Sequence, residues 1–166
     1  MGLDEDDWDG KSLKAYYRRH CRVNKISPNS AILNILPDES EVEYQPKVFD
    51  FRNNYISEKG MIPLVRIIRY SPNLEVIILK NNGLRNQSVQ LLANVLKNND
   101  TVEQIDLSNN MISDGAGEYL EELLAYNTNI RVINLSATRI SDRIQNRIQR
   151  KLLRLQKLDG TRSSSS

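Results

Sequence analysis

Leu74 to Leu84, LEVIILKNNGL, decides how the chain is read, because it returns at a fixed distance. Twenty-eight residues on stands VEQIDLSNNMI, Val102 to Ile112, and 28 further stands IRVINLSATRI, Ile130 to Ile140. Counting back 28 lands on PKVFDFRNNYI, Pro46 to Ile56, with the first apolar position lost. A fixed period of roughly 20–50 residues marks a solenoid of equal units, each burying its apolar side against the next.

Aligning the four copies gives every column a physical role. Phe49, Ile77, Ile105 and Ile133 form one column, and two residues on stand Phe51, Leu79, Leu107 and Leu135. That alternation puts both columns on one face of a short strand. The next column holds Asn53, Asn81, Asn109 and then Ala137, followed by Ile56, Leu84, Ile112 and Ile140. An amide where the backbone turns can bond groups that no strand ladder satisfies. Asn53, Asn81 and Asn109 are therefore expected to form a structural ladder, broken in the fourth copy.

The second half of each copy has helical spacing. Ser57, Ser113 and Ser141 are placed to act as N-caps. Leu64, Leu92, Leu120 and Ile148 share a column, followed by Ile67/Ile68, Val95/Leu96 and Leu123/Leu124. This is a helix buried on one side. Pro63 is expected in the first helical turn, where it is tolerated. Ser71-Pro72-Asn73, Asn98-Asn99-Asp100 and Asn127-Thr128-Asn129 read as the turns back to the next strand.

These columns resemble the leucine-rich repeat, LxxLxLxxNxL, over residues 46–158. The 28-residue length resembles the ribonuclease-inhibitor-like subclass. The resemblance implies an α/β fold: a short solenoid of about four strand–helix repeats, with a parallel concave sheet and convex helices. A solenoid needs its apolar ends closed, so caps are expected. Residues 11–45 read as a helical N-terminal cap, packed through Tyr16, Tyr17, Cys21, Ile32 and Leu36. Residues 38–45 read as a polar loop. At the other end Asp142 to about Lys157 reads as a C-terminal capping helix. Residues 1–10 and 159–166 read as disordered tails, the first an acidic stretch around Trp8.

Composition bounds the rest. The 166 residues suit one domain, and 39% hydrophobic with 27% charged is the ordinary globular range. A single cysteine, Cys21, permits no internal disulfide and favours a reducing, cytoplasmic setting. No run of 18 apolar residues suggests a membrane span, and the first ten residues are acidic, unlike a signal peptide. The net charge of +2 is unevenly spread: residues 4–9 carry −5 and residues 137–162 carry +6.

Chemistry-bearing constellations are lacking. The single His20 has no Cys, Asp or Glu at ligand spacing and reads as a surface residue, and Cys21 reads as core packing. Asp114-Gly115-Ala116-Gly117 is followed by no Lys-Ser/Thr and is no phosphate loop. No catalytic residue, metal or cofactor is expected, so the chain reads as a non-enzyme. Binding surfaces are better supported. Between the core-facing strand residues stand Val48, Asp50 and Arg52; Val76, Ile78 and Lys80; Gln104, Asp106 and Ser108; and Val132, Asn134 and Ser136. These face out on the concave sheet. Its valines and isoleucine read either as a protein-docking patch or as strand propensity alone. Arg139, Arg143, Arg147, Arg150, Arg154 and Lys157 step along the last segment by four or three. That stripe reads as the solvated face of a cap, or as a dock for an acidic protein surface or lipid headgroups. It lacks aromatics, which argues against single-stranded nucleic acid.

Two further resemblances bear on function. Tyr17, Cys21 and Ile26-Ser-Pro28-Asn29-Ser30-Ala-Ile32-Leu33 resemble the opening of ribonuclease-inhibitor-like proteins of centrosomes and cilia. NNDTVEQIDLSNN and LAYNTNIRVINLSATRISD resemble the repeat domain of the tropomodulin and leiomodin actin-capping proteins. Together they imply a non-catalytic scaffold or adaptor that binds protein, associated with cytoskeleton, cilium or centrosome. The alternative is an actin-binding, filament-capping protein. The acidic Trp8 stretch also looks like the tails that engage the actin-nucleating complex.

Overall fold

The computed structural model describes residues 12–37 and 46–162, with side chains to residue 158. Residues 1–11 with the acidic stretch around Trp8, the whole 38–45 loop and residues 163–166 lie outside the described residues. Four three-residue strands, β1 (Val48–Asp50), β2 (Val76–Ile78), β3 (Gln104–Asp106) and β4 (Val132–Asn134), form one parallel sheet in chain order. Each neighbour is offset by 28 residues, with Phe49 beside Ile77, Ile77 beside Ile105 and Ile105 beside Ile133. Helices α3 (Ser57–Arg69), α4 (Asn86–Leu96), α5 (Asp114–Tyr126) and α6 (Asp142–Arg162) follow the strands and pack side by side. The chain is a short leucine-rich-repeat solenoid.

The core lies between sheet and helices, and it is built from the columns of the repeat. Phe49, Phe51 and their aliphatic counterparts are buried, as are Leu64, Leu92, Leu120 and Ile148. Each such side chain contributes roughly 1.5–3 kcal/mol through burial before conformational entropy is set against it. Helix α5 meets α6 closely at Gly117, where an added Cβ would stand 2.3 Å from Ile144 Cγ2. Only glycine fits that contact.

The N-terminal cap is a helix pair, α1 (Leu13–Val23) and α2 (Ser30–Ile35), with α1 against α3. Ser12 Oγ accepts from Ala15 N, and Asn29 Oδ1 accepts from Ala31 N, fixing both starts. Tyr16, Tyr17, Cys21, Ile32 and Leu36 are buried in this cap. His20 is buried too, 4.3 Å from the Tyr16 ring, although its basic neighbours suggested the surface. It stands four residues after Tyr16 and so shares the apolar face of α1.

The asparagine ladder is displaced by one residue from its expected place. Asn53, Asn81 and Asn109 are exposed and sit in the left-handed backbone region, at φ of 60°, 53° and 56°. Asparagine tolerates that region better than most residues, and Ala137 adopts it at 53° in the fourth copy. The buried ladder is Asn82 and Asn110. Asn82 Oδ1 accepts from Asn54 N and Ile56 N, while its Nδ2 donates to Phe51 O and Lys80 O. Asn110 repeats this one step on, accepting from Asn82 N and Leu84 N and donating to Leu79 O. In the fourth copy Thr138 takes part of the role, donating to Leu135 O and accepting from Ile140 N.

The helix termini also depart from expectation. Pro63 is the seventh residue of α3, not in its first turn, and Ser57 lies inside that helix with φ of 57°. Ser113 caps α5 by position without a side-chain bond to the helix. Ser113 N and Oγ–H instead meet Asn86 of the preceding repeat, as Ser141 N and Oγ–H meet Asp114. These two donors hold the Asp114 carboxyl below its usual pKa, so their stabilisation is present at neutral pH and lost as acid protonates it. Helix α6 runs on to Arg162, past the start of the tail expected from residue 159.

Replacing Asn110 by Ala strands at least four backbone groups and is expected to cost about 3 kcal/mol in urea denaturation. Asn109→Gly, one residue away at positive φ, should change stability by less than about 0.5 kcal/mol.

Candidate functional site

The sheet register sorts the concave side chains into rows. Val48, Val76, Gln104 and Val132 lie side by side, followed by Asp50, Ile78, Asp106 and Asn134. Parallel strands are about 4.8 Å apart, so Val48, Val76 and Ile78 are contiguous. Val48 and Val132 are each 46% exposed, and Val76 and Ile78 are half-buried. Gln104 separates Val132 from the others. The apolar patch is therefore confined to the first two strands, and Val132 stands apart from it.

The second row shows what its column ordinarily does. Asp50 Oδ1 accepts from Arg52 N, Asp106 Oδ1 from Ser108 N, and Asn134 Oδ1 from Ser136 N. Each is a side chain closing the turn at its strand's end, two residues on. Ile78 occupies the same column and cannot close the turn this way. The chain folds there without it, so structure alone does not call for Ile78.

Charge surrounds the patch. Arg52 pairs with Asp50 at 2.7 Å, and Lys47 pairs with Glu75 at 2.7 Å. The Arg52 hydrogen bond holds the Asp50 carboxyl below its usual range, so it stays ionised at neutral pH. Lys80 is exposed at the rim, whereas Ser108 is buried and withdrawn from the concave face.

The basic stripe is brought together in part. Arg139 stands before α6, in an isolated bridge to Ser113, with its N–H bonded to Ile112 O. It is not on the helix face where the sequence spacing placed it. Arg143, Arg147, Arg150, Arg154 and Lys157 are exposed on α6, and Ile144, Ile148 and Leu152 are buried on its opposite face. Arg147 reaches back to the buried Glu121 carboxylate at 2.8 Å, and Lys151 Nζ donates to Glu121 O at 2.8 Å. Gln156 Nε2 donates to Arg131 O on the open edge of β4. Part of this helix's polarity therefore serves to close the solenoid.

Cys21 is fully buried beside Tyr17, and burial pushes its thiol pKa up, away from the reactive thiolate. Among the described residues no group of three or more His, Cys, Asp or Glu is placed to hold a metal ion. No described helix is long and apolar enough to cross a membrane.

No protein-family model matches the sequence, and no curated protein is similar to it in sequence. Among solved structures the fold is similar to that of leiomodin-1 actin-binding site 2. The TM-score is 0.55 at 11% identity, covering 72% of this chain and 89% of that one.

Arg147→Ala leaves the Glu121 carboxylate buried without its cation; the pair is half open to water, so a loss of about 1–2 kcal/mol is expected. Arg154→Ala, which removes an exposed side chain, should stay within about 0.5 kcal/mol of the parent in the same denaturant titration.

Proposed function

We propose that the chain is a non-catalytic protein-interaction module of the ribonuclease-inhibitor-like leucine-rich-repeat subclass, a scaffold or adaptor that holds a protein partner on its concave face. The 28-residue strand–helix unit supports the subclass. One observation carries the binding surface: Ile78 replaces the turn-closing Asx residue of the other three copies and joins Val76 and Val48 in an open apolar patch. An apolar centre inside a charged rim is the arrangement that concentrates binding energy at protein interfaces. His20 and Cys21, the residues with most catalytic potential, are packed into the cap, which supports a role without catalysis. The cationic face of α6 would orient an acidic surface of the same partner. A reducing, cytoplasmic setting fits the single buried cysteine, and association with cytoskeleton, cilium or centrosome is part of the same proposal.

Actin binding with filament capping is the second reading, favoured by the likeness in fold to a leiomodin-1 actin-binding site. It requires binding to actin monomer and slowed pointed-end growth, which the adaptor reading does not. Val76→Asp with Ile78→Asp separates folding from binding. The expected outcome is an unchanged melting curve and partner affinity reduced at least about tenfold. Unchanged affinity would remove the concave patch from the account.

A further inference from the structure

Away from the sheet, a groove runs between the N-terminal cap and the first repeat. Two hollows of about 510 and 360 Å³ share Lys25, Ile26 and Ser27 in their walls. Arg18 and Arg22 line the first, Tyr55 and Lys59 line the second, and among the described residues no carboxylate lines either. From residue 12 to 37 the chain carries five Lys or Arg and no Asp or Glu. Arg22 near the end of α1 suits the helix dipole. That accounts for neither Arg18, one turn earlier and repelled by Arg22, nor Lys25 beyond the helix.

The backbone of this groove is strained at its walls. Ile26 N bonds Cys21 O at 2.8 Å and Lys25 N bonds Arg22 O at 3.1 Å, closing α1 with Lys25 at φ of 54°. Glycine is the usual occupant of that closing position. Tyr55 lies at φ of 50° in the column where the second copy has Gly83 at 68°. Its side chain is 91% exposed, so core packing does not hold it there. Ser57, at 57°, lines the same hollow. Three non-glycine residues in the left-handed region thus meet at one groove, and such strain gathers where side chains are positioned for binding.

We propose that this groove docks an extended acidic polypeptide segment of a partner protein. Arg18, Arg22, Lys25 and Lys59 would take its carboxylates, with the arginines able to bind bidentately. Ile26 and the exposed Tyr55 ring give an apolar residue of the segment a place to rest. A single aromatic does not supply the series of stacking platforms that single-stranded nucleic acid uses.

The test is fluorescence anisotropy with a labelled eight-residue peptide of Asp and Glu around one central Phe. It is run on the full chain and on its D4N/E5Q/D6N/D7N/D9N form, so that the chain's own acidic stretch cannot mask binding. Saturable binding at about 50 mM salt should weaken about tenfold or more at about 500 mM, and likewise in R18E/R22E. Tyr55→Ala should also weaken it. Lys25→Gly is the discriminating variant: it relieves the strained turn, so the melting temperature should hold or rise while affinity falls about threefold. A purely structural Lys25 would move only the first. The proposal is overturned if R18E/R22E, with an unchanged melting curve, binds like the parent. It is equally overturned if R143E/R150E/R154E on α6 abolishes binding while R18E/R22E does not, or if a poly-uridine oligonucleotide of matched charge binds more tightly than the peptide.

Discussion

Backbone groups at the strand-to-helix turns face a dry interior and must find partners in the neighbouring repeat. The strands are three residues long, so their ladders alone supply little to fix one repeat against the next. Asn82 and Asn110 supply the rest, each joining the turn of its own copy to the turn and strand of the copy before. Leaving such groups unpaired costs about 1–3 kcal/mol each, which makes the amide pair the constraint on which repeat stacking depends. Two further links keep the same 28-residue rhythm. Asn86 and Asp114 hold Ser113 and Ser141 at the helix starts, and Asn127 Nδ2 bonds Leu96 O and Asn99 O at the helix ends.

With core and turn columns so constrained, function is left to the columns that stacking does not need. The concave second row shows this most plainly. Three of its residues close turns, and the fourth, Ile78, closes none and lies half-buried on the face it shares with Val76. The two ends of the stack have a different freedom. A cap must bury an apolar face, but its outer face may carry any polar residue, and in both caps that face is mostly cationic. At the C-terminal end part of the charge is absorbed by Glu121. At the N-terminal end helices α1 and α2 carry no acid of their own to absorb it.

Much of the fold was legible because the period is long, repeated four times and carried by large aliphatic side chains. Strand columns, helix columns, both caps and the parallel sheet follow from it. The ladder residue was misplaced because the copies carry paired asparagines, Asn53-Asn54, Asn81-Asn82 and Asn109-Asn110, and composition does not say which one points inward. Counting LxxLxLxxNxL from Leu74 lands on Asn82 and would have settled it. His20 was misjudged for the opposite reason: its charged neighbours in sequence are not its neighbours on the helix, where Tyr16 is. Arg139 shows the limit of spacing arguments, since a regular step continues into it although the helix begins three residues later. The groove between cap and first repeat left no mark in the sequence pattern. Lys25, Tyr55 and Ser57 in its walls have positive φ angles, which only the fold reveals.

The most direct measurement of the central claim is affinity capture from cytoplasmic extract with the full chain as bait, at about 150 mM and then about 500 mM salt, with partners identified by mass. Exposed charge contacts are largely screened at the higher salt, whereas apolar burial is not. If the concave patch holds the principal partner, the same protein is retained at both salt concentrations. If every partner is released by the higher salt, binding rests on the cationic caps, and the concave face is not the site.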